Sequence, residues 1–136
     1  GWSSENFQVS SCDFASLHLM KEAEPRIPLG ALVHGGERPW DVTPSQLADR
    51  VAEIRELRPQ TVNVTLPSLT NETAALIRRA GAEPLVWTCD EPHPQRMTRD
   101  QRASIARRLF DNRVRAVISD YPGPMLALLG EHFDGR

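Results

Sequence analysis

The chain has 136 residues, a formal net charge of −2 and 25% charged residues, which is about one ordinary domain with no dominant charge. This balance gives no electrostatic reason to expect binding to nucleic acid or to an anionic membrane surface. No apolar run approaches the roughly 20 residues that a membrane-spanning helix needs, so we predict no membrane span.

The start of the chain and its cysteines say little about location. The chain begins with Gly1 rather than Met, which suggests a processed, cloned or truncated chain. The first residues do not resemble a signal peptide, so the compartment stays unknown, and only that observation favours the cytoplasm. Cys12 and Cys89 are far apart, so neither a disulfide framework nor a zinc site is expected.

Five segments have the β-branched or alternating apolar pattern of strands, and a helical pattern follows each of them. The central segment, residues 84–90, reads Pro-Leu-Val-Trp-Thr-Cys-Asp and predicts a buried strand that ends in a polar turn. The predicted strands cover residues 7–11, 29–33, 61–66, 84–90 and 115–119.

Capping residues mark where the helices begin. Thr43, Pro44 and Gln46 form a capping box with proline in the first helical position, and Thr98 with Gln101 repeats the box. Asp13 and Thr70 are predicted to cap two further helices, Gly81 to end one, and a short last helix is predicted over residues 125–129. The residues predicted to face inward are Phe14, Leu17, Met20, Leu47, Val51, Ile54, Leu57, Ala74, Leu76, Ile77, Ala80, Ile105 and Leu109.

This β-α order repeats five times without a hairpin signal or a linker. It predicts α/β architecture with parallel βα repeats, in which helical crossovers join the strands. Residues 1–136 are therefore expected to form a single unit.

Four motifs then occur in one order along the chain. They are Val-Ser-Ser-Cys-Asp at 9–13, Pro-Arg-Ile-Pro at 25–28, Ala-Gly at 80–81 leading into Val-Trp-Thr-Cys-Asp at 86–90, and Val-Ile-Ser-Asp-Tyr-Pro at 117–122. Over about residues 7–129 this order resembles the carboxyl-terminal part of the glycerophosphodiester phosphodiesterase (GDPD) family. The resemblance implies five of the eight units of a TIM (β/α)8 barrel. The alternative is a complete five-stranded doubly wound α/β domain, whose strand order would reverse at a switch point.

The resemblance also implies a reaction. The intact family enzyme is a phosphoric diester hydrolase that converts a glycerophosphodiester and water to an alcohol and glycerol 3-phosphate with a divalent metal, Mg or Ca. The family's His-Arg-Gly, Glu-x-Asp and Glu-x-Lys motifs are missing from the strand ends of this sequence. We therefore expect no catalytic residue and no metal ligand here, an inactive chain by itself, and a His-Arg-Gly strand within about 120 residues upstream of Gly1.

Trp87, Ser11 and Asp90 are the predicted substrate-binding residues. Trp87 lies near the carboxyl end of a predicted strand, where α/β proteins keep their sites, and the matching family residue lines the pocket near the alcohol part of the substrate. Cys12 stands where the family usually has Phe, and Asp90 where it usually has Asn. His34 also ends a strand, but no second His lies on a neighbouring strand end.

Two residue groups at strand ends have simpler interpretations than a binding site. Asp120 is expected to cap the last helix, and Gly35 with Gly36 to form a plain turn.

Two other functional classes remain open. A second hypothesis is a non-catalytic α/β small-molecule-binding or regulatory domain, with a rim around Ser11, His34 and Trp87. A third is a degenerate partner subunit. An open set of five strands has two free edges, so we expect self-association or pairing with a missing amino-terminal half.

Overall fold

The computed structural model describes residues 7–36, 40–88 and 92–133, in which strands and helices alternate five times. The strands are β1 (Val9–Ser11), β2 (Leu29–Leu32), β3 (Thr61–Thr65), β4 (Glu83–Thr88) and β5 (Ala116–Ser119). The helices are α1 (Phe14–Ala23), α2 (Pro44–Leu57), α3 (Asn71–Arg79), α4 (Arg99–Asp111) and α5 (Pro122–Phe133), and a 3₁₀ turn, Pro94–Arg96, precedes α4. The predicted strands are confirmed, with ends that differ by one or two residues within the described ranges.

The strands lie side by side in the order β1-β2-β3-β4-β5, and every pair is parallel. In this register Trp87 on β4 lies opposite Thr65 on β3 and Ile118 on β5. A doubly wound sheet would reverse its order at a switch point, and this sheet does not. The order therefore confirms the barrel interpretation, a partial TIM barrel, and excludes the doubly wound alternative.

The helices cover one face of the sheet, which we call the outer face. Val62 and Val64 of β3 are fully buried in a core cluster with residues of α1, α2 and α3. Val86 of β4 packs with Leu109 of α4, in a second cluster that also includes a residue of α5. Because successive side chains in a strand point to opposite faces, the residues between these valines lie on the other face, which we call the inner face. Helices on one side only are what the wall of a barrel requires.

The predicted amino-terminal caps of the first four helices are confirmed. The Thr43 and Thr98 side chains accept hydrogen bonds from the backbone N–H groups of Gln46 and Gln101, and both capping boxes are complete. Asp13 and Thr70 cap α1 and α3, and Gly81 has a left-handed φ of 87° just after α3. The predicted inward-facing residues are buried or pack against the core clusters.

The last helix is longer than predicted. It begins at Pro122 rather than Met125 and runs to Phe133. Pro122 and Pro124 lie in the first helical turn, which has no intrahelical bond for their missing N–H groups to break. Accordingly the Met125 N–H, which follows both prolines, donates to the Tyr121 carbonyl at 2.9 Å. In the described residues, no helix is both long enough and apolar enough to cross a bilayer.

Candidate functional site

Trp87 lies on the inner face, near the carboxyl end of β4. It alternates with the fully buried Val86, which faces the helices, and its ring is half-buried. The indole Nε1 is shielded from solvent, and no described group accepts a hydrogen bond from it. A buried donor without a partner costs about 1–3 kcal/mol, so such groups usually have a role. The indole N–H is thus a buried donor without a partner among the described residues, on a ring that is partly exposed on the inner face.

A neutral hydrogen-bond network forms the inner face below Trp87. The Gln8 amide donates to the hydroxyls of Thr61 at 2.7 Å and Ser10 at 3.2 Å. The Thr61 hydroxyl donates to Asn63 Oδ1 at 2.7 Å, and Asn63 Nδ2 donates to Ser10 Oγ at 3.2 Å. Thr61 and Asn63 are fully buried. The network joins β1 to β3 and forms the polar floor of the site.

Gly30 allows this network to form. It lies on β2 between Ser10 and Thr61, and Gln8 must cross β2 to reach Thr61. A Cβ on Gly30 would lie 2.0 Å from Gln8 Nε2 and 2.4 Å from Ser10 Oγ. The missing side chain therefore leaves the space through which Gln8 reaches across the strand.

Ser11 lies at the end of β1 but belongs to the row of Ala31 and Val62, which faces the helices. Its Oγ accepts the Asp13 N–H at 3.0 Å, in the turn that leads into α1. The hydroxyl and backbone of Ser16 hydrogen-bond to Asp13 and hold the pKa of its carboxyl below the usual value. A contact between Ser11 and substrate remains a prediction. The neighbouring Ser10, not singled out from the sequence, is the serine on the inner face.

Asp90, the third predicted substrate-binding residue, lies in residues 89–91, outside the described residues. Its role therefore remains a prediction. Cys12, at the position where the family usually has Phe, is an exposed free thiol. A small exposed side chain at this position leaves more room beside β1 than an aromatic ring would.

Hydrogen bonds around Thr65 connect neighbouring chain segments at the carboxyl edge of the sheet. The Thr65 hydroxyl donates to Asp41 Oδ1 at 2.5 Å and lies 2.7 Å from Ser68 Oγ. The Val42 N–H donates to the same Ser68 Oγ at 2.8 Å. These bonds fasten the segment before α2 to the carboxyl end of β3. They were not visible in the sequence, because residues 24 to 26 positions apart meet here.

His34 lies at the same edge, after β2. Its Nδ1 accepts the Gly36 N–H at 3.0 Å, so the ring N–H is at Nε2. The ring also packs against the Trp40 ring in an edge-to-face arrangement, with the two ring centroids 5.1 Å apart. Gly36 has a left-handed φ of 106°, and a Cβ on Gly35 would lie 2.3 Å from the Asp41 carbonyl oxygen, which agrees with the predicted turn.

Asp120 does not occupy the capping position that was predicted for it. It is exposed and lies two residues before Pro122, where α5 begins, whereas a cap residue directly adjoins the helix. At this end of β5, Ser119 Oγ accepts the Tyr121 N–H at 3.1 Å. The side chain that organises this turn is therefore a serine that the sequence did not single out.

The described residues do not fit a divalent cation on their own. Within residues 7–36, 40–88 and 92–133, no three His, Cys, Asp or Glu side chains lie close enough together to hold a metal ion. Asp41, the carboxylate bonded to Thr65, has a hydroxyl as its neighbour and no second carboxylate in that cluster. Mg²⁺ and Ca²⁺ prefer several oxygen ligands with carboxylates among them, so no chemical step is assigned to a metal on these residues.

Sequential parallel strands, one-sided helices and a polar inner face below an indole define this chain as the wall of a TIM-type (β/α) barrel. The chain matches the model of the glycerophosphoryl diester phosphodiesterase family over residues 2–124 and belongs to that family. A comparison with curated proteins gave no match.

Solved structures agree on the fold. A candidate glycerophosphodiester phosphodiesterase from Galdieria sulphuraria superposes with a TM-score of 0.67 at 16% identity, over 93% of this chain and 45% of its own. A candidate glycerophosphoryl diester phosphodiesterase from Silicibacter pomeroyi gives 0.63 at 23% identity, over 92% and 38%. An Oleispira antarctica phosphodiesterase in complex with the product sn-glycerol-3-phosphate gives 0.63 at 19% identity, over 95% and 44%. The chain thus spans less than half the length of each.

Proposed function

We propose that this chain forms one wall of the substrate pocket in a glycerophosphodiester phosphodiesterase barrel. The intact barrel would hydrolyse a glycerophosphodiester to an alcohol and glycerol 3-phosphate. The observation that carries the proposal is the indole of Trp87, which lies on the inner face at the carboxyl ends of the strands with its N–H unpartnered among the described residues. Family membership and a relative that holds sn-glycerol-3-phosphate support the choice of substrate.

In this proposal the chain supplies binding groups, and other units of the barrel supply the reacting groups. Hydrolysis of a phosphodiester needs stabilisation of negative charge on the phosphoryl oxygens and a proton for the leaving alkoxide. In this proposal a divalent metal, Mg or Ca, and the acid and base are held by barrel units outside this chain. Trp87 contributes an apolar surface for the carbon atoms of the substrate, one hydrogen-bond donor, and exclusion of water. Ser11 and Asp90 remain proposed substrate contacts.

The remaining barrel units would join at the two open edges of the sheet. In the part of the chain that the structure describes, β1 pairs only with β2 and β5 only with β4. Beside β5 an apolar recess of about 330 Å³ is lined by residues that include Val117, Met125 and Leu129. Ile118 and Leu126 nearby are 53% and 70% exposed. We propose that residues 1–136 act as a single unit whose edges pair with further βα units or with a second copy of the chain.

Substitution of Trp87 in a barrel-complete protein tests the proposed pocket wall. Trp87→Phe keeps the ring but removes the N–H, and we expect kcat/KM to fall about 2- to 10-fold, the loss of one hydrogen bond of about 0.5–1.5 kcal/mol. Trp87→Ala should lower kcat/KM further, because the apolar surface is lost as well. Steady-state kinetics with a glycerophosphodiester measures both.

Stability provides the control for this experiment. Because no described group accepts a hydrogen bond from the indole N–H, Trp87→Phe should lower the free energy of unfolding only through its smaller ring, by no more than about 1.5 kcal/mol. A fall in kcat/KM in a variant that remains folded under the assay conditions therefore assigns the effect to the substrate. Unchanged kcat/KM in both variants would remove Trp87 from the pocket.

A further inference from the structure

A second recess lies at the carboxyl edge of the sheet, between the segment after β4 and the start of α5. It has a volume of about 390 Å³ and is lined by Pro92, His93, Gln95, Arg96 and Tyr121. We call it the His93 recess. It opens at the ends of β4 and β5, the edge at which Trp87 also lies. In a barrel this edge carries the substrate site, so a polar recess here is placed to contact a distal part of a ligand.

The walls of the His93 recess are held in place by local contacts. The His93 and Tyr121 rings pack with centroids 4.3 Å apart, which joins the two loops. The Arg96 N–H donates to the His93 carbonyl at 2.7 Å, and the Tyr121 carbonyl accepts the Met125 N–H at 2.9 Å. The recess is therefore built on a 3₁₀ turn and the first turn of a helix rather than on free side chains alone.

The recess presents hydrogen-bond donors. His93 Nδ1 accepts the Gln95 N–H at 3.2 Å, which leaves the ring N–H at Nε2 as a donor. The Arg96 guanidinium is exposed and has no hydrogen-bond or ion-pair partner among the residues that the structure describes. Tyr121 and Gln95, which also line the recess, carry a hydroxyl and an amide. Asp120, exposed and adjacent to Tyr121, is not among the lining residues.

An arginine, an imidazole N–H and a phenol O–H around one recess match an anionic group with several oxygens. Guanidinium groups bind carboxylate and phosphate oxygens in pairs, and such charge-assisted bonds are about twice as strong as neutral ones. We propose that the His93 recess binds a phosphate or carboxylate group. In the barrel, and resting on the proposed function, it would favour glycerophosphodiesters whose alcohol part carries a carboxylate or phosphate group over those whose alcohol part carries only a cation.

A titration of the 136-residue chain tests the binding directly. Inorganic phosphate, acetate and choline are each added at constant ionic strength, and ¹H–¹⁵N spectra follow the amides of Gln95, Arg96 and Tyr121. We expect saturable shifts with phosphate or acetate and none with choline. Arg96→Gln should weaken the affinity about 10-fold, corresponding to one charge-assisted hydrogen bond. Arg99→Gln, the same charge change three residues later on the exposed start of α4, should leave it unchanged.

Two results would overturn the proposal. One is the absence of saturation with either anion up to about 100 mM, well beyond the roughly 1 mM affinity that a few such bonds supply. The other is an equal loss of affinity in Arg96→Gln and Arg99→Gln, which would indicate a general effect of net charge. Tyr121→Phe keeps the ring packed on His93 and should weaken binding about 3-fold, the loss of one neutral hydrogen bond.

Specificity in a barrel-complete protein separates this proposal from the proposed function. We expect Arg96→Gln to lower the ratio of kcat/KM for glycerophosphoserine to that for glycerophosphocholine about 10-fold. Anion binding by the chain without turnover in the barrel would support the recess and contradict the proposed hydrolysis. Turnover with an unchanged ratio would support the hydrolysis and contradict the recess.

Discussion

Replacement of Leu17 by Ala is expected to lower the free energy of unfolding by about 2–5 kcal/mol. Leu17 is 1% exposed on α1 and belongs to the core cluster in which α1, α2 and α3 pack on the outer face of the sheet. Truncation removes apolar contacts and leaves a cavity that the neighbouring side chains fill only in part. Denaturation with urea, monitored by circular dichroism, measures the loss.

Leu19→Ala is the matched control for this prediction. Leu19 lies two residues further along α1, is 66% exposed, and undergoes the same change in helix propensity. Its substitution should alter stability by no more than about 0.5 kcal/mol. Equal losses at the two positions would mean that α1 does not pack on the sheet as described.

The second large effect is expected at Asn63. Its amide is fully buried and hydrogen-bonds to Thr61 and Ser10, which are neutral, as is Gln8 in the same network. Asn63→Asp keeps the shape but replaces a donor by an acceptor and places a negative charge on the inner face. An uncompensated buried charge costs about 3–5 kcal/mol, and we expect a loss of this size at neutral pH.

Asn71→Asp provides the control for charge. Asn71 is exposed at the first position of α3, where a carboxylate near the positive end of the helix dipole contributes about 0.3–1 kcal/mol of stability. The two substitutions are chemically identical and should change the free energy of unfolding in opposite directions. A stable Asn63→Asp variant would show that the floor of the site is open to water.

Local features of the fold were predictable from the sequence. The capping boxes at Thr43 and Thr98 each join residues three positions apart, and the same short-range bonds form in the structure. The buried faces of the helices follow from spacings of three and four residues. The predicted start of α5, at residue 125, was three residues too late, although a first turn tolerates Pro122 and Pro124.

The sheet and the site depend on contacts between distant residues, and these were less predictable. Ser10 and Ser11 are adjacent, and only the pairing of β1 with β2 decides which of them faces the inner side. The bond between Gln8 and Thr61 spans 53 positions and requires the missing side chain of Gly30 on the strand between them. Barrel and doubly wound sheets share one local pattern, so the strand order had to come from the structure.

The remaining question is where the chemistry of this family resides. The chain provides a polar floor, an indole above it and two open edges, and the described residues do not assemble a ligand set for a divalent cation. We propose that the chain contributes binding and scaffolding within a barrel and that other βα units supply the reacting groups.

An activity assay of the purified 136-residue chain tests this account most directly. The chain is incubated with a glycerophosphodiester and either Mg²⁺ or Ca²⁺, and release of glycerol 3-phosphate is measured against a sample without protein. The account predicts no release above the uncatalysed rate. Turnover at an ordinary enzymatic rate, about 1–10³ s⁻¹, would contradict it, because the chain would then contain its own acid, base and metal ligands.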